Sequence, residues 1–230
     1  MRRRSAVATV YGQSTSQQSK RTAQQRQSYR SALEPFVRNP ERFVATGEVV
    51  KYSEDFAFVR DKYPKALVHY LVIPRAARYT NIHPLDAFKD DTFFIKTSEA
   101  VEECKKLVIC ELSEKLGIEA CNADRYVQAG VHACPSLSNL HVHVITTDNF
   151  SPSLKTKRHY NSFNTPFFVK FCDSAELRDR QSPASDNFRL QTESLLKQDL
   201  ICWSCKSNYG NRFKEFKGHL ASEYNSLKRI

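Results

Sequence analysis

Two groups of histidines and cysteines in this chain have spacings that suit chemistry. The first lies in Val131-His-Ala-Cys-Pro-Ser-Leu-Ser-Asn-Leu-His-Val-His-Val-Ile145. Residues two apart in a strand share a face, so His141 and His143 look one way and Leu140, Val142 and Val144 the other. Two imidazoles on one strand face can ligate a metal, attack a phosphorus, or sit inertly at a surface. His132 lies nine residues before His141, in the preceding apparent strand. The intervening loop, with Pro135, can bring it over the same face.

The second group begins at Cys202-Trp-Ser-Cys205, with His219 after thirteen residues and Glu223 after three more. This is close to zinc-finger spacing, with a carboxylate where the final histidine usually stands. His219 and Glu223, four apart, share one helix face. Thiolate, imidazole and carboxylate are all acceptable zinc ligands, and a module this small has little core without a metal. Phe213, Phe216 and Leu220 are placed to pack beneath the ion. Arg212, Lys214 and Lys217 give the module a phosphate-facing charge. The chain has seven cysteines. The other five, Cys104, Cys110, Cys121, Cys134 and Cys172, lack ligand spacing and read as core or surface thiols. An odd number without secretory context argues against a disulfide framework.

Between the two groups, residues 149–172 contain no acid, while Lys155, Lys157, Arg158 and Lys170 are basic and His159, Tyr160 and Phe163 are interleaved. A basic run is commonly a solvated face. Here it follows directly on the histidine strand, where a polymeric substrate would enter. Lysines with Ser151, Ser153 and Ser162 suit contacts to a phosphate backbone.

The elements that must hold these residues can be read from periodicity. A helical pattern begins near Ser28 with Leu33, Phe36 and Val37, and Pro35 fits only near a helix start or a break. Strand-like runs at 48–53, 56–60 and 67–73, with turns at Ser53–Asp55 and Tyr63-Pro64, form an antiparallel meander. His83-Pro84 opens a stretch to Leu116 whose Val101, Leu107, Val108 and Leu112 suit an amphipathic helix ending near Gly117. Strands resume at 125–133, 140–146 and 166–171. Residues 173–186 read as a linker, followed by a helix from Asn187 to about Gln198. The expected class is therefore α+β, an antiparallel sheet with flanking helices plus a small C-terminal zinc-finger module. The domain division is a disordered basic tail at 1–27, a catalytic domain at 28–175, a linker and helix at 176–200, and the finger at 201–230.

At 230 residues the chain can hold one ordinary domain and a smaller module, and its net charge of +10 points to a polyanionic partner, nucleic acid first. Its longest apolar runs are far too short to span a bilayer, and no apolar segment follows the N-terminal arginines as a secretory signal requires. The acid-free, Arg- and Ser-rich tail suits a nuclear-import patch or a mitochondrial transit peptide.

Asn139-Leu-His-Val-His-Val-Ile145 resembles the signature of the histidine-triad (HIT) superfamily. Asp61-Lys-Tyr-Pro64 and His69-Tyr-Leu-Val-Ile-Pro-Arg75 resemble its nucleotide-pocket strands. Ser151-Pro-Ser-Leu-Lys155, His159-Tyr-Asn-Ser-Phe163 and the finger narrow the resemblance to the aprataxin family, over residues 28–230. Asn139 departs from the pattern, which has histidine there; an amide can still fix a neighbouring ring.

The resemblance implies a HIT-type fold and a hydrolase that removes AMP from 5′-adenylated DNA ends through a covalent histidyl-AMP. His141 would be the nucleophile, His143 would hold the phosphate oxygens, and His132 would serve the leaving phosphate. Ser136 and Asn139 would add phosphate contacts and Asp61 would bind the ribose. Zinc would be structural, held by Cys202, Cys205, His219 and Glu223, with no metal in the catalytic site. Adenylated DNA and AMP would be the partners, with no membrane, and the protein would be a monomer working in the nucleus, with the mitochondrion and cytoplasm as alternatives. DNA would be held by Lys155, Lys157, His159, Arg212, Lys214 and Lys217. Tyr29, between Arg26 and Arg30, would either extend the apolar side of the first helix or stack on the terminal base pair. The competing functions are hydrolysis of small adenylates alone, which the finger and the charge oppose, and non-enzymatic nucleic-acid binding, which the intact His132, His141 and His143 oppose.

Overall fold

A computed structural model of the chain describes residues 29–171 and 186–227. The tail at 1–27, most of the linker and the last three residues, together with Arg26 and Cys172, lie outside the described residues. The order begins with α1 (Glu34–Arg38), a 3₁₀ turn (Pro40–Phe43), and strands β1 (Val49–Tyr52), β2 (Phe56–Arg60) and β3 (His69–Pro74). Two short helices follow, α2 (Ala77–Thr80) and α3 (Pro84–Ala87), then the long helix α4 (Asp91–Leu116). Next come α5 (Ala120–Ala123), a 3₁₀ turn (Asp124–Tyr126), β4 (Val127–His132), β5 (Val142–Thr146), α6 (Lys157–Asn164) and β6 (Phe168–Lys170). The C-terminal part holds α7 (Asp186–Leu195), β7 (Leu200–Ile201), β8 (Asn208–Gly210) and α8 (Phe213–Leu227).

The first six strands form one sheet in the order β1-β2-β3-β5-β4-β6, with every neighbouring pair antiparallel. This is the α+β, HIT-type architecture expected, with the meander β1–β3 at one side. The strands β2 and β3 are buried on both faces. On one face, Phe58, Tyr70, Val72, Val142 and Val144 pack against the stripe Phe93, Ala100, Val101, Cys104, Val108 and Leu112 of α4. Burying that stripe stabilises the domain by roughly 1.5–3 kcal/mol for each large apolar side chain. On the other face, Leu33 and Val37 cover Val49, Ala57, Val59, Leu71 and Ile73. That cover stops short of the far half of the sheet, where the histidines lie.

Several boundaries differ from the periodicity reading. The stretch after His83 is broken: α3 ends at Ala87, and Asp90 caps a new helix by accepting from Phe93 N at 3.1 Å. That helix ends at Gly117, in the left-handed conformation with φ 70°, as the sequence indicated. The strand expected from Arg125 opens instead with the 3₁₀ turn. Pairing of β5 begins at Val142, not Leu140, because Leu140 N is diverted to Thr80 O at 2.6 Å. Pro35 falls at the start of α1, where its missing N–H costs nothing. No described helix is long and apolar enough to cross a membrane.

Candidate active site

Strand register gathers the histidines. His143 stands opposite Leu71 of β3 and Gly130 of β4. His69 is two residues before Leu71 and His132 two after Gly130, so all three imidazoles share one sheet face. The ring centroids of His132, His69 and His141 lie 4.4, 5.1 and 4.8 Å from that of His143. Phe163 of α6 and Phe168 of β6 close the cluster from the side. Gly130 makes that packing possible, since a Cβ there would lie 2.7 Å from the Phe168 ring and 2.5 Å from Val169 O.

Hydrogen bonds decide which nitrogen of each ring carries the proton. His141 Nδ1 lies 2.7 Å from Asn139 O, an atom that only accepts, so Nδ1 is protonated and Nε2 keeps its lone pair. His143 is set the opposite way. Lys65 N donates to His69 Nδ1 at 3.2 Å, which leaves the proton on His69 Nε2. His69 Nε2 then donates to His143 Nδ1 at 2.9 Å, which places the His143 proton on Nε2. His143 Nε2 and His132 Nε2 are buried and have no partner among the described residues. Burial without a bond costs about 1–3 kcal/mol per group, so these atoms mark where a ligand's polar atoms are to sit.

The same burial holds the rings neutral. His69 is pushed down to about 4, chiefly by loss of solvent, with Asp61 opposing the shift. Burial and the neighbouring imidazoles set His132 and His143 well below the usual histidine range. His141 is lowered by burial, against the pull of the Asn139 carbonyl and Asp61. Lys65, on the same loop as Asp61, is lowered by desolvation and brings a cation to the edge of the cluster.

A cavity of about 670 Å³ opens onto these groups. His132, His141, His143, Asp61, Ser136 and His159 line it, and so does Tyr29 at its rim. Tyr29 is 58% exposed, which overturns its reading as core. Asn139, expected among the phosphate contacts, is buried and does not line the cavity. Its amide instead donates to Glu34 and Thr80, 2.9 and 3.2 Å away, and the next residue, Leu140, is anchored to Thr80 as well. Of the basic residues, Lys155 and Lys214 are exposed. Lys157 reaches Asn211, Lys217 donates to Leu154 O at 2.9 Å, and Arg212 lies 3.6 Å from Glu215.

The cavity also holds residues to which the sequence reading gave no role: His69, Lys65, Lys62, Tyr63 and Arg158. Lys62, Tyr63 and His69 lie inside the motifs that marked the nucleotide pocket, and Lys65 directly follows the first of them. His69 opens a strand apolar on both faces, and a lone histidine there is the signal that went unused. Asp61, His69 and His143 also place donor atoms within 4.8 Å of one another, close enough to share an ion. In this structure the two imidazoles are occupied by the hydrogen bond between them.

The second constellation sits on the turn between β7 and β8 and on α8. Donor atoms of Cys202, Cys205, His219 and Glu223 all lie within 4.8 Å of one another. His219 Nε2 is 3.2 Å from Cys202 Sγ, 3.3 Å from Cys205 Sγ and 3.5 Å from Glu223 Oε1. Tetrahedral zinc with bonds of about 2.0–2.3 Å requires ligand separations of roughly 3.3–3.8 Å, so the set fits that ion. Beneath it, Phe216 and Leu220 join Leu200, Cys202, Leu154 and Tyr160 in one buried cluster. Leu154 and Tyr160 come from the catalytic half. Tyr160 Oη donates to Ile201 O and accepts from Trp203 N, both at 2.9 Å, and Phe150 stacks on Tyr224 at 4.0 Å.

Two family models match the chain. One, described as a C2HE / C2H2 / C2HC zinc-binding finger, covers residues 164–226; the other, described as scavenger mRNA decapping enzyme C-term binding, covers residues 38–159. An aprataxin-like protein of Schizosaccharomyces pombe is 36% identical over 207 residues, covering 86% of this chain and 83% of the relative. An aprataxin-like protein of Saccharomyces cerevisiae is 32% identical over 220 residues, covering 86% of this chain and 97% of the relative. Among solved structures, the aprataxin ortholog Hnt3 in complex with DNA superposes with a TM-score of 0.75 at 32% identity, over 86% of this chain and 96% of that one.

Proposed function

Because this chain belongs to the aprataxin family, we propose that it is a DNA-repair hydrolase that removes AMP from 5′-adenylated DNA ends. Such ends, left by abortive ligation, join AMP to the DNA 5′-phosphate through a pyrophosphate. The observation that carries the reading is the opposed protonation of two neighbouring rings: a lone pair on His141 Nε2 and an unpartnered N–H on His143 Nε2. One is a nucleophile and the other an oxyanion donor, and both are set before substrate arrives.

In the scheme, His141 Nε2 attacks the phosphorus of the adenylate. A P–N bond forms as the P–O bond to the DNA phosphate breaks. His143 Nε2–H, Ser136 and Lys65 stabilise the non-bridging oxygens as charge shifts onto them. An anionic substrate raises the proton affinity of buried imidazoles, so His132 takes up a proton and shares it with the leaving phosphate. Asp61, an acceptor with two oxygens, binds the ribose hydroxyls. Water then attacks the same phosphorus, giving a proton back to His132, the P–N bond breaks, AMP departs and His141 recovers its lone pair. Every step uses side chains, with no metal in the catalytic pocket.

The DNA is held by Lys155, Lys157, His159, Lys214 and Arg212, with Tyr29 stacking on the end of the duplex, while Lys217 is engaged inward with Leu154 O. Zinc at Cys202, Cys205, His219 and Glu223 holds the finger. The division into a catalytic domain at 28–175 and a finger at 201–230 is part of the same reading, as are action as a monomer and work in the nucleus. Solved relatives bound to DNA, and to DNA and guanosine, support a nucleic-acid substrate.

The test is AMP release from nicked, 5′-adenylated duplex, with a small adenylate in parallel. The expected result is release from both, stoichiometric recovery of a 5′-phosphate strand, and an acid-quenched adduct whose AMP maps to His141. Release without an adduct on His141 would overturn the covalent scheme, and activity on the small adenylate alone would overturn the DNA substrate.

A further inference from the structure

Glu34, the first residue of α1, is joined to the loop that carries the nucleophile. Its Oε2 accepts from Asn139 Nδ2 at 2.9 Å and its Oε1 from Arg38 Nε at 2.6 Å. The Asn139 bond, then Arg38, hold the carboxyl below the usual glutamate range. An ionised carboxylate only accepts, so the Asn139 amide must turn its NH₂ toward it. Thr80 Oγ1 at 3.2 Å and Asn81 Oδ1 at 3.4 Å lie around the same nitrogen. The amide's own oxygen is left buried without a partner among the described residues, an unfavourable orientation that the carboxylate enforces. One residue earlier, Ser138 N bonds Arg30 O at 2.8 Å. Two adjacent loop residues are thus tied to the segment 29–34. The carbonyl of Asn139 is the atom that accepts from His141 Nδ1 at 2.7 Å.

We propose that Glu34 is a positioning residue for the nucleophile: through the Asn139 amide it fixes the carbonyl that keeps the His141 lone pair on Nε2. It touches no substrate, since neither Glu34 nor Asn139 lines the cavity. The pair with the exposed Arg38 is a surface ion pair; what sets Glu34 apart is its second oxygen, which accepts from the buried Asn139 amide. The proposal rests on His141 being the nucleophile, but its central claim concerns the free protein and can be read there.

The experiment compares Glu34→Ala, Glu34→Gln and Asn139→Ala, singly and with Glu34→Ala combined. In the free protein, ¹⁵N shifts of the His141 ring should report one Nδ1–H tautomer in the wild type and in Glu34→Gln, whose amide oxygen can still accept. Glu34→Ala should give a mixed or exchange-broadened ring. With adenylated DNA and with a small adenylate, Glu34→Ala should lower kcat roughly tenfold while KM changes by less than about threefold, as misorientation of a reacting group does. Glu34→Gln should restore kcat. The double variant should lose no more than the worse single one, since both act on the same carbonyl. An unchanged His141 tautomer and unchanged kcat in Glu34→Ala would overturn the proposal, as would losses that add in the double variant. Should the adduct map elsewhere than His141, the covalent scheme fails, while the tautomer measurement still decides whether Glu34 orients this ring.

Discussion

The histidine pocket and the finger show two ways of holding reactive groups in place. In the pocket, three imidazoles hang from strands with apolar residues packed on their other face, His141 directly precedes β5, and the hydrogen bonds of His141 and His143 fix their protons before any ligand enters. The rigidity comes from the sheet. In the finger, two donors come from the turn between β7 and β8 and two from one helix, and Cys205, Glu223 and His219 are open to solvent to differing degrees. A carboxylate, an imidazole and two thiols at such short range are favourable mainly when a cation joins them. Preorganisation is thus paid for by folding in one site and by metal binding in the other. The two are not independent, because Tyr160 and Leu154 lie in the finger's cluster while α6, which carries Tyr160, also carries His159 and Phe163 into the pocket.

The sharpest way to break the contrast is to remove the nucleophile. His141→Ala should lower AMP release by roughly 10⁴-fold or more, with DNA binding and melting temperature little changed, since affinity comes from basic residues elsewhere. Retention of a tenth of the activity would show that the pocket's order serves another group.

Metal removal tests the other half. Cys202→Ala, or chelation of the wild type, should release one zinc per chain, lower Tm, and loosen residues 200–227 in hydrogen exchange. Activity on adenylated DNA should fall by about a hundredfold. The shared cluster adds a smaller, roughly threefold to tenfold, loss on a small adenylate through α6. A small adenylate turned over at the full wild-type rate would show that the seam does not couple the two sites.

Tyr29 stands at the rim and belongs to neither core. Tyr29→Ala should reduce action on adenylated duplex by roughly tenfold to a hundredfold, since stacking on a base is worth ~1–3 kcal/mol, while sparing the small adenylate and Tm. Equal loss on both substrates would place its role inside the pocket instead.

The mildest effect expected is with pH. A histidine whose folded pKa is depressed binds fewer protons when native, so its contribution to stability is complete above the unfolded value near 6.5 and is lost as pH falls through the folded value. For His69 that window runs from about 6.5 down to about 4. The Tm should therefore decline across this interval and stay flat from pH 7 to 8. The acid limb of kcat/KM should also lie below 6.5, because burial keeps His141 neutral. An acid limb at or above 6.5 would mean that the free enzyme's nucleophile is more solvated than the pocket makes it.

What the sequence determined by itself was set by short-range geometry. Alternation placed His141 and His143 on one face, four-residue spacing aligned His219 with Glu223, and Gly117 stopped α4, since each depends only on the covalent repeat of a strand, a helix or a left-handed turn. The meander β1–β3 was legible for the same reason: its strands are consecutive in the chain and pair with their sequence neighbours. The rest needed the sheet order, in which β5 inserts between β3 and β4. Only that arrangement brings His69 within 2.9 Å of His143, 74 residues away, and so decides which nitrogen of His143 carries the proton. Only the packing of residues 29–34 over the loop at 138–140 turns the Asn139 amide to Glu34 and leaves it out of the cavity lining. Likewise, only the docking of α8 turns Lys217 inward to Leu154 O, where composition had placed it toward DNA. Residue types and local spacing name the reactive groups, but their protonation and the direction in which they point depend on partners that are distant along the chain and become neighbours only when the core closes.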